Sequence, residues 1–123
     1  MIQLDTSFLI RALDSGSPED RKLRDWIGAG ETLSMSAVAW AEFLCGPLDG
    51  SELALATQIV ESHSDFTSDH AAIAARLFNG TGRRRGSLID CMIAAVALAD
   101  GAAIATENVA DFRRFEAFGL KVV

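Results

Sequence analysis

Three acids stand in segments that are otherwise mostly apolar. Asp5 follows the run Met1 to Leu4, Glu42 lies within Ala39-Trp40-Ala41-Glu42-Phe43-Leu44, and Asp90 lies within Leu88-Ile89-Asp90-Cys91-Met92-Ile93. A fourth polar place, Thr106-Glu107-Asn108 with Asp111 one helical turn further on, follows the apolar run Ala102 to Ala105. An aspartate inside an apolar helix is costly unless it is paired or bound to a metal. Carboxylates gathered at one place repel and raise one another's pKa, so a cluster calls for a cation. Oxygen donors favour a hard divalent ion, Mg²⁺ or Mn²⁺. Mg²⁺ takes only one or two carboxylates and keeps several waters, which leaves room for a phosphate oxygen and a hydrolytic water.

Each position has a plainer reading as well. Asp5 serves as a metal ligand, a nucleophile or a helix cap. Glu42 taken alone fits a solvated helix face equally well, and Asp90 fits a carboxylate that bridges to a neighbouring element. Their order along the chain is what could bring them together.

Other chemistries fit less well. No Gly-rich loop precedes a Lys and a Ser or Thr, and no GxSxG elbow is present. Position 7 is a serine, so the DxD pair of an aspartyl-nucleophile phosphatase is missing. His63 and His70 lie in a polar stretch and read as surface residues. Cys45 and Cys91 are too few and too far apart for a zinc motif, and read as buried free thiols.

These residues need elements to position them. Leu4 to Ser7 reads as the end of a first strand and the start of a helix running to Leu13 or Asp14. Ser17 caps a second helix with Pro18 at its first position. Thr32 to Ser36 alternates as a strand, and Ser36 caps a helix from Ala37 to Leu44 that carries Glu42. Ser51 is the expected cap of the next helix, with Leu53, Leu55, Ile59 and Val60 as its apolar positions. Asp65 to Thr67 is a short strand, and an alanine-rich helix from Ala71 to about Phe78 follows. Ser87 caps a helix from Leu88 to about Ala99, apolar on most sides and therefore buried. Gly101 closes that helix. Ala102 to Ala105 and Leu120 to Val123 are the last strands. Strands alternating with helices predict an α/β fold, a three-layer sandwich with a mostly parallel central sheet of about four or five strands.

Composition agrees with one compact domain over residues 1–123. Half of the 123 residues are hydrophobic, which supplies a core and argues against disorder. The formal net charge is −6, so sequence-independent nucleic-acid binding needs a local basic patch. Arg83-Arg84-Arg85 is the only strong basic run, readable as a phosphate-guiding patch or as a solvated loop. No apolar run approaches a membrane span and no leader pattern opens the chain, so a soluble cytoplasmic protein is expected.

The segments Leu4-Asp5-Thr6-Ser7, Ser36 to Glu42, Leu88 to Ala95 and Ala105 to Phe112 together resemble the motifs of a PIN domain, in family order over nearly the whole chain. Within that family the chain is most similar to the VapC-type ribonuclease toxins of prokaryotic toxin–antitoxin pairs. The resemblance implies a Mg²⁺- or Mn²⁺-dependent endoribonuclease that acts on RNA, forms a homodimer and is blocked by a cognate VapB-like antitoxin. It places the metal-binding acids on Asp5 and Asp90 and the helix glutamate on Glu42. Its fourth acidic place falls on Asn108, which can ligate through its carbonyl oxygen but brings no charge; Asp111 stands nearby. Thr6 and Thr106 become hydrogen-bonding neighbours of the site. The alternative is a catalytically inactive PIN-like module whose work is protein association.

Overall fold

The computed structural model describes residues 1–123. Its five strands form one sheet with the order β3-β2-β1-β4-β5, and every pairing is parallel. The strands are β1 (Ile2–Leu4), β2 (Leu33–Ser36), β3 (Ser62–Ser64), β4 (Ala103–Ala105) and β5 (Lys121–Val122). Between them run α1 (Thr6–Ala12), α2 (Pro18–Gly28), α3 (Ala37–Cys45), α4 (Gly50–Ile59), α5 (Ser68–Gly80), α6 (Leu88–Ala99) and α7 (Val109–Arg113). A 3-10 turn over Glu116–Phe118 leads into β5. The α/β fold expected from sequence is present, with helices flanking a five-stranded sheet.

The chain steps from β1 outward through β2 to β3, then returns past β1 to β4 and on to β5. Connections of one hand that reverse direction place helices on both faces. They also create a switch point between β1 and β4, the place where ligands bind in open α/β sheets. Leu4 pairs with Ala105, so the residues that follow, Asp5 and Thr106, emerge side by side at the carboxyl edge.

The core is continuous. Phe8, Leu9, Leu33, Met35, Phe43, Ile93, Ile104, Phe112 and Phe115 are at most 2% exposed. In α6 the buried side is Cys91 and Ile93 to Ala97, four of them small residues. Small side chains let this helix lie close to its neighbours, chiefly α5.

Several local expectations hold. Ser17 and Ser36 accept from the backbone N–H of Asp20 and Ala39 at 3.0 Å each, as N-caps. Gly101 has φ of +64°, the left-handed conformation that ends α6.

Others are corrected. The third strand is Ser62–Ser64, upstream of Asp65–Thr67. It pairs with β2 through Ser34–Ser62, Met35–His63 and Ser36–Ser64, so partner geometry rather than hydrophobicity defines it. The helix after β3 begins at Ser68, because Thr67 and His70 form a capping box there. Asp49, not Ser51, caps α4, its Oδ1 accepting from the Glu52 N–H at 2.8 Å. Leu53 and Leu55 face outward, and Ala56 is the buried residue of α4. Ser87 makes no cap; its hydroxyl donates instead to the Arg84 carbonyl at 2.7 Å. The first turn of α6 is open on one side, with Leu88 and Ile89 exposed. Cys91 is buried as expected, but Cys45 is exposed at the end of α3. His63 is exposed against Trp40, and His70 is half-buried in its cap. No helix is long and apolar enough to cross a membrane.

Candidate active site

A recess of about 250 Å³ opens at the carboxyl edge, lined by Asp5, Thr6, Ser7, Ile10, Glu42, Asp90 and Asn108. The four candidate residues named from sequence therefore meet at one place. A separate local reason brings each of the four there. Asp5 follows β1 directly, its N–H donating to the Ala105 carbonyl at 2.8 Å. Ser36 ends β2 and caps α3, so Glu42 rides on a helix launched from the next strand. Asp90 lies in the first turn of α6, the helix that returns the chain to β4. Asn108 follows β4 and starts α7.

Asp5 stands at the N-cap position of α1, yet its side chain makes no capping hydrogen bond. Its Oδ2 instead accepts from the Thr106 hydroxyl at 2.7 Å and the Ser7 hydroxyl at 2.9 Å. Ser7 Oγ in turn accepts from the Glu107 N–H at 3.1 Å, and Thr106 Oγ1 from the Asn108 N–H at 3.0 Å. Both hydroxyl protons are thereby aimed at the carboxylate, and Asp5 Oδ1 has no hydrogen-bond donor within the chain. Asp5 is only 3% exposed, so the network fixes its position. This arrangement removes the cap reading of Asp5.

Thr6 does the equivalent for Glu42. Its hydroxyl shares one proton between the Ala39 carbonyl at 2.8 Å and Glu42 Oε1 at 3.3 Å.

The carboxylates act on one another. Partial burial raises the Glu42 pKa above its ordinary value, and the Asp5 charge adds to that; the Thr6 hydrogen bond opposes it, and Asp90 raises it slightly further. Burial also raises Asp90, reinforced by Asp5 and opposed by Arg114. Negative charge is thus concentrated here with too little positive charge beside it, the condition a bound cation relieves.

The donors are all oxygen, which suits Mg²⁺ or Mn²⁺. No three acids converge as a ready cage. The residues available to hold it are Asp5 and Asp90, with Glu42 and Asn108 on the same recess.

The remaining candidates lie outside the recess. Arg83, Arg84 and Arg85 are all exposed. Arg83 adopts φ of +54° and donates to Asn79 Oδ1 at 2.8 Å. Arg84 approaches Asp111 at 3.8 Å; Asp111 is absent from the recess lining, although its charge still acts on Asp90. Glu107 is exposed, as expected. Two contributors escaped the sequence reading. Ser7 was visible only as part of a hydroxyl pair, and its contact with Asp5 depends on the turn into α1. Arg114 lies beyond the last motif, yet its Nη2 stands 4.0 Å from Asp90 Oδ2.

The PIN domain family model matches residues 2–117, and the chain belongs to the PIN domain family. No curated protein matches it in sequence. Among solved structures it is similar to VapBC2 from Rickettsia felis bound to a DNA fragment from their promoter: 21% identity over 100% of this chain and 98% of that one, TM-score 0.77. FitAcB from Neisseria gonorrhoeae matches at 21% identity over 99% and 96% of the two chains, TM-score 0.72. VapC20 from Mycobacterium tuberculosis, a sarcin-ricin loop cleaving toxin, matches at 18% identity over 100% and 98%, TM-score 0.69. At these identities the likeness is one of fold.

Proposed function

We propose that this chain is a Mg²⁺- or Mn²⁺-dependent endoribonuclease, the toxin of a VapBC-like toxin–antitoxin pair acting in the cytoplasm. The observation that carries the reading is the meeting of Asp5, Glu42, Asp90 and Asn108 in one recess at the sheet's switch point. Family membership and the structural neighbours described as a toxin–antitoxin complex and as a member of the VapBC family of toxin–antitoxin systems support it.

In this mechanism Asp5 and Asp90 would hold the ion. A divalent ion bound there would supply Lewis acidity toward a phosphodiester and make a water more acidic. Thr106 and Ser7 keep Asp5 fixed and leave its Oδ1 unengaged. Glu42, tethered by Thr6 and raised in pKa by partial burial and then by the Asp5 charge, would orient a water or ligate through it. Asn108 offers a neutral carbonyl oxygen where an acid would add charge. Arg83, Arg84 and Arg85 guide the RNA backbone toward the recess.

The partners follow from the same reading: a VapB-like antitoxin and a second copy of the chain. Exposed Ile10, Ile27, Leu44, Leu53 and Leu55 provide apolar surface for such association. An apolar groove of about 280 Å³, lined by Ala12, Leu13, Leu23, Ile27, Leu55 and Ile59, lies among α1, α2 and α4.

The deciding experiment is RNA cleavage in Mg²⁺ or Mn²⁺, over several RNAs, with Asp5→Asn and Asp90→Asn as controls. Activity that needs the metal and falls at least ~100-fold in either variant is expected. Wild type that cleaves no better than the variants would assign the chain to the inactive association module instead.

A further inference from the structure

Three carboxylates border the recess, but only one guanidinium is built in against them. The Arg114 side chain is 15% exposed, and its Nη2 lies 4.0 Å from Asp90 Oδ2. Its guanidinium carbon stands 4.6 Å from the Phe115 ring centroid, on a ring that is itself fully buried. Nε and Nη1 are buried and have no hydrogen-bond partner. A mostly buried cation with two unmet donors is costly unless opposite charge compensates it. The acids of the recess are that opposite charge. At 4.0 Å the contact with Asp90 is too long for a hydrogen bond, so Arg114 acts through its charge rather than by clamping the carboxylate.

Arg84 does not fill this place. It is 60% exposed and shared with Asp111 at 3.8 Å, where water and salt screen it. Glu42 has no such support, because the charges acting on it are those of Asp5 and Asp90.

We propose that Arg114 is the resident counter-charge of the acid recess: it compensates Asp90 in the metal-free protein, and a divalent ion entering beside Asp90 binds against its repulsion. The proposal rests on the metal-site reading above. It makes Arg114 a positioning residue that acts through Asp90 and holds metal affinity down. Removing the charge while keeping an apolar stem over Phe115 should therefore tighten metal binding, a direction opposite to general damage.

The test titrates Mn²⁺, read by electron paramagnetic resonance of the free ion, into the whole chain and its Arg114→Met, Arg114→Lys and Asp5→Asn variants. Arg114→Met is expected to bind Mn²⁺ about 3- to 10-fold more tightly than wild type, and Arg114→Lys to stay near wild type. In chelator, Arg114→Met should lower the melting temperature by about 3 °C or more, and by clearly less in an Asp90→Asn background. Should the methionine variant fail to fold, Arg114→Gln makes the same comparison. Site-specific binding, lost in Asp5→Asn, with unchanged or weaker affinity in the neutral variant overturns the role of Arg114 and leaves the metal site standing. Absence of any Asp5-dependent Mn²⁺ binding overturns both.

Discussion

The single residue that most depends on its neighbours is Asp5. Two hydroxyls donate to one of its oxygens, and one of them, Thr106 Oγ1, is buried. Thr106→Val keeps the shape and deletes the donor. A hydrogen bond to a charged group contributes about 1.5–3 kcal/mol, so urea unfolding should show a loss near the lower end of that range, with Ser7 still donating. Ser7→Ala should cost less alone, and the double variant should cost more than the sum because both serve the same oxygen. Additive losses would show that the two hydroxyls do not share the carboxylate. Glu42 gives a prediction of opposite sign. Its folded pKa lies above its ordinary 4.5, so the folded chain retains a proton over a range where the unfolded chain has released it. The associated stability is present below the ordinary value and is lost as pH rises through the folded one. At neutral pH the metal-free protein therefore carries this charge at a cost, discounted because Glu42 is partly solvated. Glu42→Gln should raise the melting temperature in chelator by about 1–3 °C at neutral pH, and the gain should vanish by about pH 4. A gain that persists unchanged into acid would mean that charge is not its origin.

At the scale of elements, most of the fold was legible where one segment carries its own signal. The apolar α6, the Ser17-Pro18 and Ser36 starts, and the acid after β1 all belong to that class. The failures share a physical cause: each depends on a partner distant in the chain or on a choice between adjacent polar residues. Strand β3 reads Ser-His-Ser and has no hydrophobic alternation; its pairing with β2 creates it. At α4, Asp49 and Ser51 are both acceptable caps, and Asp49 takes the role while Ser51 donates to it at 2.7 Å. The meeting of Asp5, Glu42 and Asp90 was legible because βα alternation puts the strand ends of a parallel sheet at one edge. Asn108 took its site role only from the PIN resemblance, and the strand order was marked by nothing in the sequence. Arg114 was not, because an arginine in Phe112-Arg113-Arg114-Phe115 carries no mark of which neighbour it will face. The cap assignment is testable by chemical denaturation. Asp49→Ala should destabilise by about 1 kcal/mol, whereas Ser51→Ala should cost only a few tenths of that amount. The reverse order would restore Ser51 as the cap.

Across the whole molecule the charge distribution sets how RNA could approach. A net charge of −6 repels a phosphate backbone, and the acid recess concentrates that repulsion where the chain would have to come closest. Approach therefore needs cations displayed beside the recess rather than averaged over the surface. The loop between α5 and α6 displays three, but not equally. Arg83 is held by Asn79 and lies 5.8 Å from the Phe78 ring centroid, and Arg84 is partly neutralised by Asp111. Arg85 makes no ion pair or side-chain hydrogen bond, so it is the freest to meet a phosphate. For single-stranded RNA each neutralised phosphate contributes about 0.7 to the slope of log affinity against log salt. Binding is best measured on the Asp5→Asn background, where cleavage does not interfere. There, replacing all three arginines by Ala should weaken binding and flatten the slope by up to about 2, with Arg85→Ala alone giving the largest single share. If the triple variant keeps the wild-type slope, the loop is a solvated surface and the RNA path runs elsewhere. If Arg84→Ala has the largest single effect, RNA must displace Asp111 from its arginine, and the Arg84–Asp111 pair becomes part of how substrate is admitted.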